Sequence, residues 1–286
     1  MKKLSLILFT ILSQATVGAF SVTMVIHLFP TSEEVEKLIS LALITCSVIM
    51  ICSLIIALGH LGSPLIAFKT ITNVRSSWLS REVFLAALFT GLCLVTTYLQ
   101  LNPIKSGKLQ IGIGWTAGIV GLLFIYAMGK LYMLKTISWW NSFHTPLSFF
   151  ITAFILGGLI VDLSLLITIS ENRVALYPEF LKLFTMITGS ILLLLCFEFI
   201  LVPTRMIRLL SESDYQKDLV QNFLNQFEVI YYLRLLVTII GFVTLSIILF
   251  TQSLYLVIYL ISFGLLAIEA FLGRYLFYAE QESSSL

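Results

Sequence analysis

Charged residues are scarce in this chain. Only 11% of its 286 residues are Asp, Glu, Lys or Arg, and 59% are hydrophobic, whereas a soluble domain has about 25% charged residues. A water-facing surface cannot be assembled from this composition, and the mean hydropathy of +1.02 agrees. The composition excludes soluble enzymes, nucleic-acid-binding modules and disordered scaffolds. The nearly balanced net charge of +2 gives no sign of a nucleic acid or other polyanion as partner.

Ligands for metal cofactors are also few. The four cysteines lie within apolar segments and form no C-x-x-C pair, which excludes a cysteine-ligated zinc ion or iron–sulfur cluster. The three histidines, His27, His60 and His144, are too few for a two-haem cytochrome and poorly placed for one bis-histidine haem. We therefore expect no haem and no iron–sulfur cluster in this protein. Any metal centres that exchange electrons with it belong to another subunit.

Long hydrophobic runs dominate the sequence instead. A transmembrane helix needs about 20 apolar residues, and eight runs are long enough. The sequence predicts an all-α integral membrane protein, a single domain over 1–286 with eight transmembrane helices in a bundle and both termini on the same side. The first run is too long for the core of a cleavable signal peptide, so we expect it to remain as a helix. The predicted spans are approximately 4–29, 38–58, 82–101, 111–134, 147–169, 183–202, 229–250 and 254–279.

The connections differ between the two faces of the membrane. We call the side with both termini side A and the opposite side B. The predicted connections on side A are long, at about 59–81, 135–146 and 203–228, and most of the 17 Lys and Arg residues lie on or near this side. The positive-inside rule would make side A cytoplasmic.

Most ionisable residues within the predicted spans fall in the half of the bilayer next to side A. Such a residue costs about 2.5–3.5 kcal/mol or more in hydrocarbon, so each is a candidate for function. Side chains at helix ends that reach the headgroups would explain Lys130 and Arg234. Glu198, Glu269 and Arg274 are flanked by apolar residues. For these three, an interhelical Glu–Arg pair and a polar pocket that exchanges protons are both open.

A shallow pocket on side A is suited to a quinol. His60 closes the second predicted helix and Glu82 opens the third, so both return to the same depth. Oxidation of a quinol releases two protons and needs a base near each hydroxyl, which His and Glu can provide. The alternative role for His60 is to cap its helix. Aromatic residues near this side either form a slot for the quinol ring or belong to the interfacial belt. They are Phe68, Trp78, Trp139, Trp140, Phe143, Phe149 and Phe150.

Short motifs are spread over most of the chain. The loop Gly59-His60-Leu61-Gly62-Ser63-Pro64 is followed by Ala67-Phe68, Asn73, Ser80 and Glu82. The other motifs are Gln14-x-x-x-Gly18, Trp140-x-Ser142, Thr145-Pro146, Phe149-Phe150, Gly157-Gly158, Arg234 and Gly273-Arg274-x-x-Phe277-Tyr278. With this pattern the sequence resembles the membrane anchor subunits of bacterial dimethyl sulfoxide reductases. The His-Leu-Gly-Ser-Pro stretch, taken together with the final Gly-Arg and Phe-Tyr pairs, is the most specific part.

The resemblance implies a complex of three subunits in anaerobic respiration. A molybdopterin catalytic subunit would reduce the terminal acceptor, and a four-cluster ferredoxin-like iron–sulfur subunit would carry electrons to it. This chain would hold both at the bacterial inner membrane and oxidise menaquinol. It assigns proton-accepting, catalytic roles to His60 and Glu82. To the quinol pocket we further assign Gln14, Gly62, Ser63, Pro64, Phe68 and Arg274.

The sequence leaves the orientation and the competing functions open. Catalytic subunits of this family usually carry twin-arginine export signals, which would make side A periplasmic if they dock there, against the count of basic residues. The terminal acceptor is not encoded in this protein. A secondary transporter and a membrane scaffold without quinone chemistry are the alternative functions. The shallow polar residues and the lack of an evident internal repeat disfavour the transporter.

Overall fold

The computed structural model describes residues 2–29, 32–59, 73–102, 107–172, 178–252 and 256–283. Within these residues the chain forms eight α-helices and no strands, and each helix is long and apolar enough to cross a membrane. This confirms the predicted fold class. The helices are α1 (Lys2–Ile26), α2 (Glu33–Leu58), α3 (Trp78–Leu101), α4 (Gly107–Leu131), α5 (His144–Asn172), α6 (Pro178–Glu212), α7 (Asp214–Thr251) and α8 (Leu256–Ser283).

Local sequence determines where several helices begin. Ser32 and Ser77 are the N-cap residues of α2 and α3, and their hydroxyl oxygens accept hydrogen bonds from the backbone N–H groups of Val35 and Ser80. Such caps satisfy backbone donors that have no partner within the helix. Pro178 is the first residue of α6, where its missing N–H costs no helical hydrogen bond.

The helices form two groups of four that meet where α1 packs on α5. In the first group, α1 contacts α2 and α4, and α3 contacts both α2 and α4. In the second group, α5 contacts α6 and α8, and α7 contacts both α6 and α8. Helices α1 and α5 are the most buried of the eight. The other helices expose apolar side chains outward, as a lipid-facing surface requires.

Glycines allow α1 and α5 to approach closely. An ideal Cβ atom on Gly18 would lie 1.9 Å from the carbonyl oxygen of Ala153, and one on Gly157 would lie 2.2 Å from the backbone nitrogen of Ala19. No side chain fits at either position, so the two backbones are in direct contact, a packing mode typical of small residues in membrane helices. These two motif glycines therefore set the distance between the two groups of helices.

The connection predicted at 203–228 is not a loop. Helix α6 continues to Glu212 and α7 begins at Asp214, so almost the whole segment is helical. With 35 and 38 residues, the two helices are about 52 and 57 Å long, well beyond a hydrocarbon core of about 30 Å. Pro203, which we expect at a helix end, lies inside α6. The prediction is wrong because hydropathy marks where a chain leaves the lipid, not where its helix ends.

Candidate functional site

Arg274 of α8 and Gln14 of α1, both assigned to the quinol pocket from the sequence, are in direct contact. Arg274 Nη2 donates a hydrogen bond to Gln14 Oε1 at 2.9 Å, and Gln14 Nε2 lies 3.4 Å from Met128 Sδ. Gln14 is fully buried and Arg274 is 5% exposed. The guanidinium also packs over Phe149, with Cζ 3.8 Å from the ring centroid, a cation–π contact. The pair therefore joins the two groups of helices through a buried cation.

Five aromatic residues, here called the aromatic cluster, pack beside Arg274: Tyr132, Trp140, Phe149, Phe277 and Tyr278. The rings of Trp140 and Phe277 stack with their centroids 5.0 Å apart. The indole Nε1 of Trp140 donates to the carbonyl oxygen of Phe277 at 2.9 Å. The hydroxyl of Tyr278 donates to that of Tyr132, also at 2.9 Å. The final Phe-Tyr motif is therefore part of one packed unit with the Trp140 motif.

The aromatic residues predicted near side A divide into two kinds. Trp139, Trp140 and Phe149 are at most 3% exposed and belong to the protein interior. Phe143 is 74% exposed, as a residue of the interfacial belt would be. Phe68 lies outside the described residues.

Glu82 lies near the aromatic cluster. It is in the second turn of α3 and is 5% exposed, and within the described part of the protein it forms no ion pair. Burial raises the pKa of the Tyr132 hydroxyl, and the charges of Tyr278 and Glu82 raise it further, whereas Arg274 lowers it. The carboxyl group, the tyrosine pair and the guanidinium are therefore close enough to influence one another.

The loop residues assigned to the site, His60, Gly62, Ser63, Pro64 and Phe68, lie outside the described residues. The described structure stops at Gly59 and resumes at Asn73, just before α3. The end of α2 lies beside the start of α1, where the hydroxyl of Ser5 donates to the carbonyl oxygen of Ile56. The described residues on both sides of the loop are therefore on side A, as predicted.

A polar cavity of about 80 Å³ lies between α5, α6, α7 and α8, in the half of the bundle next to side A. Arg274 forms part of its wall, so the cavity adjoins the Arg274–Gln14 pair. The charged and titratable side chains that line the polar cavity are His144, Glu198, Arg205, Tyr231, Arg234, Arg274 and Glu280.

Two carboxylates share one guanidinium at the deeper end of the polar cavity. Arg234 Nε donates to Glu269 Oε1 at 2.8 Å, and Arg234 Nη2 donates to Glu198 Oε1. Gly273 makes room for this guanidinium, because a Cβ atom there would lie 2.8 Å from Cζ of Arg234. Arg274 forms no ion pair with any described residue. The interhelical pair and the polar pocket, open alternatives in the sequence, therefore occur together.

A second ion pair lies toward side A. Arg205 Nη2 donates to Glu280 Oε2 at 2.6 Å and to the carbonyl oxygen of Trp139 at 2.7 Å. The sequence analysis misses this pair, since it places Arg205 in a loop and Glu280 beyond the last span. Helical spacing could have found both. Arg205 follows Glu198 by seven residues and Glu280 follows Glu269 by eleven, about two and three helical turns, so each shares a face with its deeper counterpart.

Relatives support an assignment for the whole sequence. Residues 1–279 match the family described as DMSO reductase anchor subunit (DmsC). Over 169 residues, the sequence is 31% identical to the C subunit of the anaerobic dimethyl sulfoxide reductase of Haemophilus influenzae, across 58% of this protein and 59% of that one. It is 27% identical to two subunits of anaerobic dimethyl sulfoxide reductases of Escherichia coli, YnfH and another C subunit, across 54% of this protein and 55% of each relative. These matches span little more than half the length of each relative. Because the family match extends over nearly all of the sequence, the chain belongs to the family of DMSO reductase anchor subunits.

Proposed function

We propose that this protein is the membrane anchor of a dimethyl sulfoxide reductase-like molybdoenzyme complex in the bacterial inner membrane and that it oxidises menaquinol. Electrons pass to a four-cluster ferredoxin-like iron–sulfur subunit and then to a molybdopterin catalytic subunit. Family membership supports the anchoring role. The observation that supports the quinol site best is the buried Arg274–Gln14 pair, which lies over Phe149 and near Glu82 on side A.

In the proposed reaction, His60 and Glu82 accept the protons. A neutral imidazole of His60 hydrogen-bonds one quinol hydroxyl and takes its proton as electrons leave toward the nearest cluster of the partner. Glu82 then passes a proton to water on side A. Arg274 and Gln14 provide guanidinium and amide donors for a quinol oxygen. Gly62, Ser63, Pro64 and Phe68 are assigned to the pocket from the sequence alone.

The variants His60→Ala and Glu82→Gln test this function in the assembled complex. Each should lower menaquinol-driven turnover by about a hundredfold or more, the usual contribution of a positioned base. Reduction of the acceptor with an artificial dye should continue at the normal rate, because dye electrons bypass the quinol site. The measurement compares the two electron donors at equal amounts of assembled complex.

Glu179→Gln is the matched control for Glu82→Gln. Glu179 is exposed in the first turn of α6 on side B, and its variant should keep both activities. If His60 only caps a helix, His60→Ala should instead reduce the amount of assembled complex. Normal menaquinol oxidation in both site variants would contradict the proposal and favour a scaffold without quinone chemistry.

Side A also offers the larger surface for the partner subunits. The helical segment 203–228 extends past the predicted spans, and Arg208 Nη2 in it donates to the carbonyl oxygen of Ser138 at 3.2 Å. On side B, consecutive helices are separated only by the short segments 27–32, 102–106, 173–177 and 252–255. The proposal therefore places the iron–sulfur subunit on side A, against the tip of α6 and α7.

Limited proteolysis tests this docking side. In the detergent-solubilised protein alone, trypsin should cut after Lys217, whose side chain is 54% exposed near the tip. In the assembled complex the same bond should be protected, because the partner covers it. Lys108, exposed at the start of α4 on side B, should be cut equally in both samples. Protection of Lys108 with continued cutting at Lys217 would place the partner on the wrong side for this proposal.

A further inference from the structure

Several buried polar atoms around the polar cavity have no hydrogen-bond partner among the described residues. Glu198 and Arg274, which line it, are 8% and 5% exposed. Unpartnered polar atoms are costly in an apolar interior, and 80 Å³ is room for several water molecules. The geometry thus favours a hydrated cavity. The atoms concerned are Trp139 Nε1, His144 Nδ1, Glu198 Oε2 and Arg274 Nε.

The charge balance at Glu198 leaves room for one proton. Arg234 is shared by Glu198 and Glu269, and the two carboxyl groups are within hydrogen-bonding range of each other. One guanidinium balances only one of two carboxylates. The second carboxylate therefore needs either a proton or the charge of Arg274 across the cavity. Oε2 of Glu198, which has no described partner, is the oxygen available for that proton.

Arg274 connects this carboxyl pair with the proposed quinol pocket. Its Nη2 donates to Gln14, while its Nε has no partner among the described residues. A water molecule bound to Nε would lie between the quinol pocket and the carboxyl group of Glu198. Toward side A, the wall of the polar cavity continues past His144 to Glu280. The polar groups thus extend from the Arg274–Gln14 pair toward the surface.

We propose that the polar cavity is a water-filled chamber for proton release and that Glu198 is its proton acceptor. This inference rests on the proposed oxidation of menaquinol. As the quinol becomes a quinone, two O–H bonds break, two electrons leave toward the partner's iron–sulfur cluster, and two protons depart. His60 takes one proton. The other moves through cavity water to Glu198, where a new O–H bond forms on Oε2, and later leaves past His144 to water on side A.

The variant Glu198→Gln in the assembled complex tests the chamber. The amide keeps the shape of the side chain, and Arg234 keeps Glu269 as its partner, so the complex should assemble in normal amounts. We expect the kcat of menaquinol-driven turnover to fall by about tenfold or more, with little change in KM, because a proton acceptor is lost while the quinol pocket is intact. Dye-driven turnover should be unchanged. Glu198→Asp, which restores a carboxylate, should recover most of the rate.

Each outcome separates this inference from the proposed function. Glu179→Gln, the exposed acid at the other end of α6, is the control and should behave as the unaltered protein. A normal kcat in Glu198→Gln, with His60→Ala inactive, would overturn the chamber and leave the quinol site standing. Normal turnover in His60→Ala and Glu82→Gln would overturn the quinol site itself. A loss in Glu198→Gln that Glu198→Asp does not reverse, or that tracks the amount of complex, would assign Glu198 a purely structural role.

Discussion

Gly157→Leu should abolish accumulation of the folded protein in the membrane. A Cβ atom at this position would lie 2.2 Å from the backbone nitrogen of Ala19 and 2.3 Å from the carbonyl carbon of Gly18. Backbone atoms of a packed helix cannot move aside as flexible side chains do, so α1 and α5 must separate. Separation would also break the contact between Gln14 and Arg274, because Gln14 lies one turn from Gly18 on α1. The amount of protein in membranes and its thermal stability in detergent are the measurements.

Gly91→Leu is the matched control. Gly91 is exposed on α3, and a Cβ atom added there meets no atom within 4 Å, so the same substitution should be tolerated. Gly157→Ala should be intermediate, since it adds only the Cβ atom. A Gly157→Leu protein with normal abundance and stability would show that α1 and α5 do not cross as closely as the structure has them.

The helices could be predicted from the sequence because each span needs a long apolar run, but their ends could not. Hydropathy places a loop at 203–228, where α6 and α7 continue as helices outside the hydrocarbon. For the same reason it puts Glu198 and Arg234 near helix ends, although both lie well inside their helices. Polar composition outside the lipid is compatible with either a loop or a solvated helix.

The candidate site was only partly predictable for a different reason. Gln14 and Arg274 are assigned to one pocket from the sequence, and they are in contact. The sharing of Arg234 by two carboxylates could not be predicted, because it depends on which faces of α6, α7 and α8 turn toward each other. Those faces follow from helix packing, which single-sequence patterns do not determine. The placement of His60 beside Glu82 stays a prediction.

Arg234→Gln should destabilise the protein more than any other single change of a charged residue discussed above. It leaves Glu198 and Glu269 together in the bundle with no cation in contact. Breaking a buried ion pair in this way costs about 3–5 kcal/mol, a large part of a typical folding free energy of about 5–15 kcal/mol. We expect little folded protein in membranes. Arg234→Lys should be intermediate, because one ammonium group cannot reproduce the two directed bonds of the guanidinium.

Removal of the two carboxyl groups should reverse the defect of Arg234→Gln. In the combined variant Arg234→Gln, Glu198→Gln, Glu269→Gln, no charge remains at the shared site, and neutral replacements of a buried ionic cluster are often tolerated. We expect its abundance and thermal stability to return close to those of the unaltered protein. Its menaquinol-driven turnover should stay low, because the proton acceptor Glu198 is absent, while dye-driven turnover is normal. A stable Arg234→Gln protein would contradict the charge balance at this site. A combined variant that folds and oxidises menaquinol at the normal rate would show that the ionic cluster serves neither folding nor proton release.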